Sequence, residues 1–236
     1  MKLSFRKKKK AKLYGKLIVI DGIDGSGKST QLEMLAEELK ANGFETETIH
    51  FPRHGQPTAF MVDQYLKGAY GDVNSYAASV FYAVDRFDAS STIKKWLGEG
   101  KVVLSDRYVT ANAGHQGCKI NDSMDRLKFF KWLDNLEYNI FGLPKPDLNV
   151  VLNMPYMSAH KLLNGRKDTK AKKDIHEQSL THLRLAQAVY LQLAQLFPNT
   201  KIVECVEGKS VLSPQDVHNK VWELVRRIAL KNIKPQ

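Results

Sequence analysis

The segment GIDGSGKS at residues 22–29 constrains the fold of this chain more than any other stretch. It follows a short apolar run, LIVID at 17–21, that is typical of a buried strand, and it opens a helical spacing of apolar residues that ends near Asn42. In that setting the pattern G-x-x-x-x-G-K-[ST] indicates a phosphate-binding loop, because glycines let backbone N–H groups close around phosphate oxygens. A chance glycine turn is the alternative, but it explains neither flanking element. We therefore predict a nucleoside triphosphate site.

Different residues of the loop are suited to bind different parts of a triphosphate and its metal ion. Lys28 places a positive charge at the β- and γ-phosphates, and the hydroxyl of Ser29 is a ligand for Mg²⁺. The helix that follows points its positive N-terminus at the same anion. We assign phosphate binding to eight positions: Gly22, Asp24, Gly25, Ser26, Gly27, Lys28, Ser29 and Thr30.

Strand and helix patterns alternate along the chain. Strands are predicted at 17–21, 46–51, 101–105, 147–152 and 201–206. Helices are predicted at 28–42, 59–66, 75–97, 123–141, 157–163, 175–196 and 214–230. This alternation predicts an α/β fold in which helices flank a five-stranded parallel sheet, the architecture of P-loop NTPases. No internal repeat or linker divides the chain, so we expect a single domain at 15–236.

The net charge of +11 is concentrated in two segments. Residues 1–16 contain eight Lys or Arg and no acid, and residues 161–173 contain six basic residues and one acid. The rest of the chain is close to neutral. We expect residues 1–14 to be a disordered basic tail, although KKKK at 7–10 would also suit nucleic acid, anionic lipid or an import receptor.

The remaining composition favours a cytoplasmic protein. Cys118 and Cys205 form no close pair, and a chain of 236 residues is long enough to need no disulfide. The histidines and cysteines lack metal-ligand spacing. No apolar run approaches the roughly 18 residues of a membrane span, and the run at 17–20 is too short for a signal peptide.

A second group of candidate residues follows the third predicted strand, in VVLSDRY at 102–108. Asp106 comes directly after the apolar run, where P-loop enzymes hold Mg²⁺, often through water. Arg107 beside it is placed to bridge the phosphates of two substrates. A salt bridge at the strand end is the alternative, and the nearby phosphate-binding loop favours the functional interpretation.

Several segments together resemble the thymidylate kinases. They are GIDGSGKST (22–30), HFPR (50–53), VFYAVDRF (80–87), SDRYVTANAGHQG (105–117) and KPDLNVVLNMP (145–155), with SPQDVHNKV (213–221) near the end. The resemblance runs from about residue 15 to residue 227. It implies transfer of the γ-phosphoryl group of ATP to dTMP with Mg²⁺, a place in dTTP biosynthesis and a homodimer.

The resemblance also implies an acceptor site for dTMP. Arg53 resembles the arginine that holds the acceptor phosphate, a task suited to a planar guanidinium. Tyr82 matches the aromatic residue that stacks on the base, and Arg86 matches the arginine at the thymine edge. Without the family, these two would suggest an ordinary amphipathic helix. The proposed dTMP contacts are Arg53, Tyr82, Arg86, Arg107, Asn112, His115 and Gln116.

The basic segment resembles the lid of one thymidylate kinase class. Where one class carries an arginine inside the loop, this chain has Gly25, and Arg166 matches the lid arginine of the other class, so the lid is expected at about 160–177. A cation that arrives with a closing lid neutralises charge in the transition state. A solvated surface loop is the alternative interpretation. Asp24 resembles the acid near the acceptor's 3′-hydroxyl. The proposed catalytic residues are therefore Lys28, Arg107, Arg166 and Asp24.

Three positions depart from the family pattern. Tyr82 stands where Phe is commoner, His115 where the family has a Tyr that crowds the sugar 2′ position, and Asn153 where an Asp is usual. The second of these departures bears on the preference for deoxyribose. A kinase for another deoxynucleotide, such as dUMP or dGMP, is the main alternative function. A GTPase-type switch is disfavoured because no N-K-x-D motif is present, and a nucleic-acid-binding protein would have to act through its tail alone.

Overall fold

The computed structural model describes residues 15–165, 180–197, 199–231 and 233. The expected disordered tail at 1–14 lies outside these residues. So do Arg166 and the larger part of the expected lid at about 160–177, of which residues 160–165 are described.

The predicted five-stranded parallel sheet is confirmed. Its strands are β1 (Lys16–Asp21), β2 (Thr46–His50), β3 (Val102–Asp106), β4 (Leu148–Asn153) and β5 (Thr200–Glu204), and their spatial order is β2-β3-β1-β4-β5. Continuous apolar runs form the three central strands, which helices cover on both faces, whereas the polar sequence TETIH forms the edge strand β2.

Eight α-helices lie within the described residues. They are α1 (Lys28–Ala41), α2 (Phe60–Leu66), α3 (Ser75–Gly98), α4 (Val109–Gly117), α5 (Ser123–Asp134), α6 (Tyr156–Gly165), α7 (Leu180–Leu196) and α8 (Pro214–Leu224). Local sequence starts three of them, because the side chains of Asn74, Asp122 and Ser213 accept hydrogen bonds from backbone N–H groups in the first turns of α3, α5 and α8.

Three features differ from the predicted elements. The single helix expected at 123–141 is α-helical only to Asp134 and continues as a π-helical segment at Asn135–Ile140. The final helix likewise becomes π-helical at Val225–Ala229. A short antiparallel hairpin, β6 (Val206–Glu207) with β7 (Ser210–Val211), was not predicted, since two-residue strands carry no periodicity.

The order of the strands places the candidate residues at one edge of the sheet. Strand β1 lies between β3 and β4, and the register pairs Ile20 with Asp106 on one side and Asp21 with Val151 on the other. The connections that leave β1 and β4 run to opposite sides of the sheet, so a crevice opens beyond the carboxyl ends of the central strands, where open α/β sheets bind ligands.

Within the described part of the chain, no helix is both long and apolar enough to cross a membrane.

Candidate functional site

The loop between β1 and α1 has a backbone that only glycine adopts readily. Gly22, Gly25 and Gly27 have φ angles of 135°, 80° and 90°. A Cβ atom on Gly22 would lie 2.8 Å from the carbonyl oxygen of Leu152, and one on Gly25 would collide with the carbonyl oxygen of Ala159. The glycines are therefore required both by the turn and by the close approach of β4 and α6.

Lys28 and Ser29 lie where the loop enters α1, next to the end of β3. The Lys28 amine donates to the carbonyl oxygen of Ile23 at 2.9 Å and lies 3.9 Å from a carboxylate oxygen of Asp24. Burial lowers the pKa of Lys28, and the charge of Arg107 lowers it further. The carboxylates of Asp24, Asp106 and Asp21 act in the opposite direction and favour the charged amine, which is the form that binds phosphate oxygens.

The candidate metal ligands, Ser29 and Asp106, meet in space. The Ser29 hydroxyl donates to Asp106 Oδ2 at 3.4 Å, and Asp106 Oδ1 is buried without a hydrogen-bond partner among the described residues. Burial alone would raise the pKa of Asp106, but the hydrogen bond from His50 and the positive charge of Lys28 outweigh it and lower the pKa. The carboxylate is therefore ionised at neutral pH, as a cation site requires.

Arg107 sits in a left-handed backbone conformation, with a φ of 66°. Its backbone N–H donates to the Ile20 carbonyl at 3.0 Å, which continues the ladder between β1 and β3. The guanidinium forms an ion pair with Asp24 and donates to His115 Nε2 at 2.9 Å. Burial opposes the charge, but the carboxylates of Asp24, Asp106 and Asp21 act with other nearby groups to outweigh burial, and the pKa of Arg107 is raised. This arginine is thus held between the phosphate-binding loop and α4.

A cleft of about 180 Å³ opens beside Arg107. It brings together seven of the positions that sequence analysis selected, which come from the loop, α3, β3 and α4: Asp24, Tyr82, Arg86, Arg107, Asn112, His115 and Gln116. The cleft has a polar end at Arg107 and Asp24 and further polar groups along α4. Such a site can hold a small molecule that carries an anionic group and a planar ring.

Arg53 is the acceptor-site residue that does not line this cleft, although Phe51, Pro52 and His54 do. Its guanidinium bonds to Asp85 at 2.9 Å and to Asp88 at 2.6 Å. Asp85 was not singled out from the sequence, where it appears only as the neighbour of Arg86. The role of Arg53 in holding an acceptor phosphate stays a prediction.

Arg86 forms a buried ion pair that the sequence did not reveal. Its Nε and Nη2 atoms donate to the two carboxylate oxygens of Glu137 at 2.5 and 2.7 Å, and the two side chains are 1% and 0% exposed. Burial disfavours the charged arginine, but Glu137 more than compensates and raises the pKa of Arg86. Because Glu137 occupies one edge of the guanidinium, the orientation of Arg86 at the cleft is defined before any ligand binds.

Two amides of α4 complete the wall of the cleft. The Asn112 side chain donates to the Ser79 carbonyl at 3.1 Å and lies 3.4 Å from Glu137. Gln116 accepts from the Tyr65 hydroxyl at 3.3 Å, while its Nε2 is buried with no partner among the described residues. An unpaired amide donor in a cleft wall suits an acceptor such as a carbonyl oxygen of a base.

Asp21 is a further residue that sequence analysis missed, because it reads as the end of an apolar strand. It is fully buried and accepts from the Thr110 and Tyr190 hydroxyls, both at 2.7 Å. Burial raises the pKa of Asp21 despite these hydrogen bonds. The carboxyl group joins β1 to α4 and α7 directly beneath the phosphate-binding loop.

Comparison with known proteins decides the family, because the family model described as thymidylate kinase matches residues 20–221. The chain belongs to the thymidylate kinase family. It is 34% identical over 183 residues to the thymidylate kinase of Mycobacterium tuberculosis, which covers 75% of this chain and 85% of that protein. It is 31% identical to a probable thymidylate kinase of Thermococcus onnurineus, over 91% of this chain and 98% of that protein.

A solved structure supports the fold independently. The thymidylate kinase of Candida albicans superposes with a TM-score of 0.73 at 24% identity and covers 92% of this chain and 93% of its own. The predicted P-loop fold and the predicted family are therefore confirmed. The protein is a nucleoside monophosphate kinase that phosphorylates dTMP, with ATP as its other substrate.

Replacing Glu137 tests the buried ion pair. We expect Glu137→Gln to lower the free energy of unfolding by about 3–5 kcal/mol, because Arg86 then stays buried without an opposing charge. We also expect dTMP affinity to fall by about tenfold, since the guanidinium is less firmly held. Urea unfolding measures the change in stability, and calorimetric titration with dTMP measures the change in affinity.

The matched control is Lys128→Gln, which removes the exposed ion pair with Asp125. It should change stability by less than about 0.5 kcal/mol. Equal effects of the two substitutions would contradict a structural role for the buried pair.

Proposed function

We propose that dTMP binds in the cleft beside Arg107, with its phosphate toward Arg107, its 3′-hydroxyl toward Asp24 and its base among the residues of α3 and α4. The observation that carries this proposal is the convergence of seven sequence-selected positions on one cleft that adjoins the phosphate-binding loop. Tyr82 would stack on the thymine ring, and Arg86 and Gln116 would donate hydrogen bonds to its edge. His115 would face the sugar.

In the proposed reaction, the residues of this chain position charge and none acts as a strong base. A phosphate oxygen of dTMP is already a nucleophile, so the main requirement is alignment and neutralisation of oxygen charge. Lys28 would neutralise the β- and γ-phosphates, and Arg107 would lie between the two substrates. Arg166, outside the described residues, would add its charge from the lid, and its loss should lower kcat more than affinity.

We propose that Mg²⁺ is held at Ser29 and Asp106. These residues fit the ion because Asp106 is an ionised carboxylate with one unpaired buried oxygen and Ser29 lies beside it. No cluster of three or more acidic, histidine or cysteine ligands exists among the described residues. That suits Mg²⁺, which binds one or two protein oxygens together with substrate phosphates. When bound, the ion would offset the charge of the β- and γ-phosphates.

The metal assignment predicts the behaviour of Asp106→Asn. Loss of the carboxylate charge should raise the Mg²⁺ concentration required for half-maximal activity and lower kcat by about 100-fold. Metal titrations at saturating ATP measure both quantities. Asp125→Asn, at an exposed carboxylate of α5, serves as the control. An unchanged Mg²⁺ requirement in Asp106→Asn would refute the assignment.

Phosphorylation of another deoxynucleotide, such as dUMP or dGMP, is the main alternative to a preference for dTMP. The thymidylate kinase of Candida albicans is itself described as an enzyme of broad substrate specificity. We nevertheless propose a preference for thymine in this chain. Arg86 and the unpaired amide donor of Gln116 suit the carbonyl oxygens of thymine, and one buried methyl group is worth about 0.8 kcal/mol, or about fourfold in binding.

A coupled ADP-release assay across nucleoside monophosphates tests this preference. We expect kcat/KM for dTMP to exceed that for dUMP by about fourfold and that for dGMP by about 100-fold. The Arg86→Ala variant should lose mainly acceptor affinity and selectivity, with ATP affinity kept. Equal turnover of dGMP and dTMP by the wild-type protein would overturn the thymine assignment.

We also propose a homodimer that forms through α3. Four apolar side chains at one face of this helix are 36–51% exposed: Tyr76, Val80, Val84 and Phe87. A contiguous apolar stripe on a surface helix is typical of an interface between subunits.

Sedimentation velocity tests the dimer. Val84→Glu should shift the protein toward the monomer, because a charge on the stripe would be buried on association. Thr92→Glu, off the stripe on the same helix, should not. A wild-type monomer at micromolar concentration, or a dimer that Val84→Glu leaves intact, would contradict the proposal.

The proposed setting is dTTP biosynthesis in the cytoplasm, where dTDP would be the product passed on. Both cysteines are free and buried, and burial raises the pKa of each thiol to about 12, so neither is reactive and neither serves a disulfide. Cell fractionation checks the compartment, and recovery of the protein in an oxidising compartment would contradict it.

A further inference from the structure

A chain of four hydrogen bonds runs from Arg107 into α7. Arg107 Nη1 lies 2.9 Å from His115 Nε2, and His115 Nδ1 lies 3.1 Å from His182 Nε2. His182 Nδ1 lies 3.6 Å from the sulfur of Cys118, whose thiol in turn contacts the carbonyl oxygen of His115 at 3.3 Å. His182 and Cys118 have no role in the reaction described above.

The donor and acceptor groups of the side chains determine the direction of each of these hydrogen bonds. A guanidinium has only donors, so His115 Nε2 must accept and cannot carry a proton. The proton of a neutral His115 is therefore on Nδ1 and is donated to His182 Nε2. His182 must then carry its own proton on Nδ1, facing the Cys118 sulfur.

Packing and charge hold both rings in this state. Gly114 lets α7 approach α4 closely, since a Cβ there would lie 2.7 Å from the Tyr190 ring, and that ring contacts His115 edge-on with centroids 5.8 Å apart. The planes of the His115 and His182 rings differ by 21° and their centroids lie 5.4 Å apart. Burial, and then the charge of Lys119, lower the pKa of His182 to about 4, so its ring is neutral at pH 7.

We propose that His182 is a positioning residue that selects the Nδ1-protonated form of His115 and thereby holds Arg107 ready for the phosphates of the two substrates. The other tautomer, or a protonated His115, would direct an N–H group at the guanidinium and displace it. His115 can link Arg107 to His182, whereas a tyrosine could not, because an imidazole accepts a hydrogen bond on one side of the ring and donates one on the other. The inference rests on the proposed role of Arg107.

Nitrogen NMR of the free enzyme, labelled with ¹⁵N-histidine, tests the tautomer directly. The His115 signals are identified by their loss in His115→Phe. In the wild-type protein at pH 7 we expect a protonated Nδ1 and an unprotonated Nε2. In His182→Leu, which removes the acceptor, we expect the Nε2-protonated or the charged form to appear. A wild-type His115 protonated at Nε2, or a tautomer unchanged in His182→Leu, would overturn the proposal.

Kinetics separate positioning from packing. His182→Leu should lower kcat by about tenfold, the effect of losing one well-placed hydrogen bond, with the KM for ATP within about twofold of wild type. His182→Gln should stay within about threefold of wild type, because its amide oxygen lies near the place of Nε2 and accepts the same proton. Equal losses in the two variants, or none in either, would refute the role of His182.

His218→Leu is the matched control, since it also replaces a buried imidazole. His218 lies on α8, and its Nδ1 has no hydrogen-bond partner among the described residues. The His218→Leu variant should leave kcat and the His115 NMR signals unchanged. Arg107→Ala separates the role of Arg107 from that of His182. Normal turnover of dTMP by that variant would refute the proposed role of Arg107, while the NMR result would still decide the tautomer of His115.

Discussion

The pairing of β1 with β3 is the constraint on which the rest of the site depends. Its register sets Ile20 opposite Asp106, so the phosphate-binding loop and the Asp106–Arg107 pair leave the sheet at the same level. The Arg107 backbone N–H extends that ladder by bonding to the Ile20 carbonyl. A slip of one residue would turn every side chain of the strand to the opposite face. Metal ligands, loop and arginine are therefore brought together by backbone hydrogen bonds.

Charge in the cleft is organised before any nucleotide arrives. Arg107 is held by Asp24 and His115, and Arg86 is held by the fully buried Glu137. Breaking a buried ion pair of this kind costs about 3–5 kcal/mol, so each partner keeps the other in place. The helix changes to π geometry over Asn135–Ile140, where Glu137 reaches the interior. Such a change is common where a side chain serves a function rather than regular packing.

Much of the fold could be predicted because its signals are local. Apolar runs of three or four residues mark the buried strands, and the residues Asn74, Asp122 and Ser213 mark helix starts. The π-helical segments could not be predicted, since each depends on contacts with distant residues. The β6–β7 hairpin could not be predicted because strands of two residues carry no periodicity. The acceptor site was selected from the family resemblance; its polar partners, Asp85 and Glu137, look in the sequence like ordinary charges on helices.

The sequence by itself determined the fold class, the phosphate-binding loop and the family, because these depend on residue types at short, regular spacings. Only the tertiary structure decided which groups face one another. In the folded protein Arg53 bonds to Asp85 and Arg86 pairs with Glu137. His182 of α7 lies against His115 of α4. The physical reason is that a hydrogen bond needs a donor and an acceptor about 3 Å apart, and residues 67 positions apart in the chain reach that distance only when two helices pack.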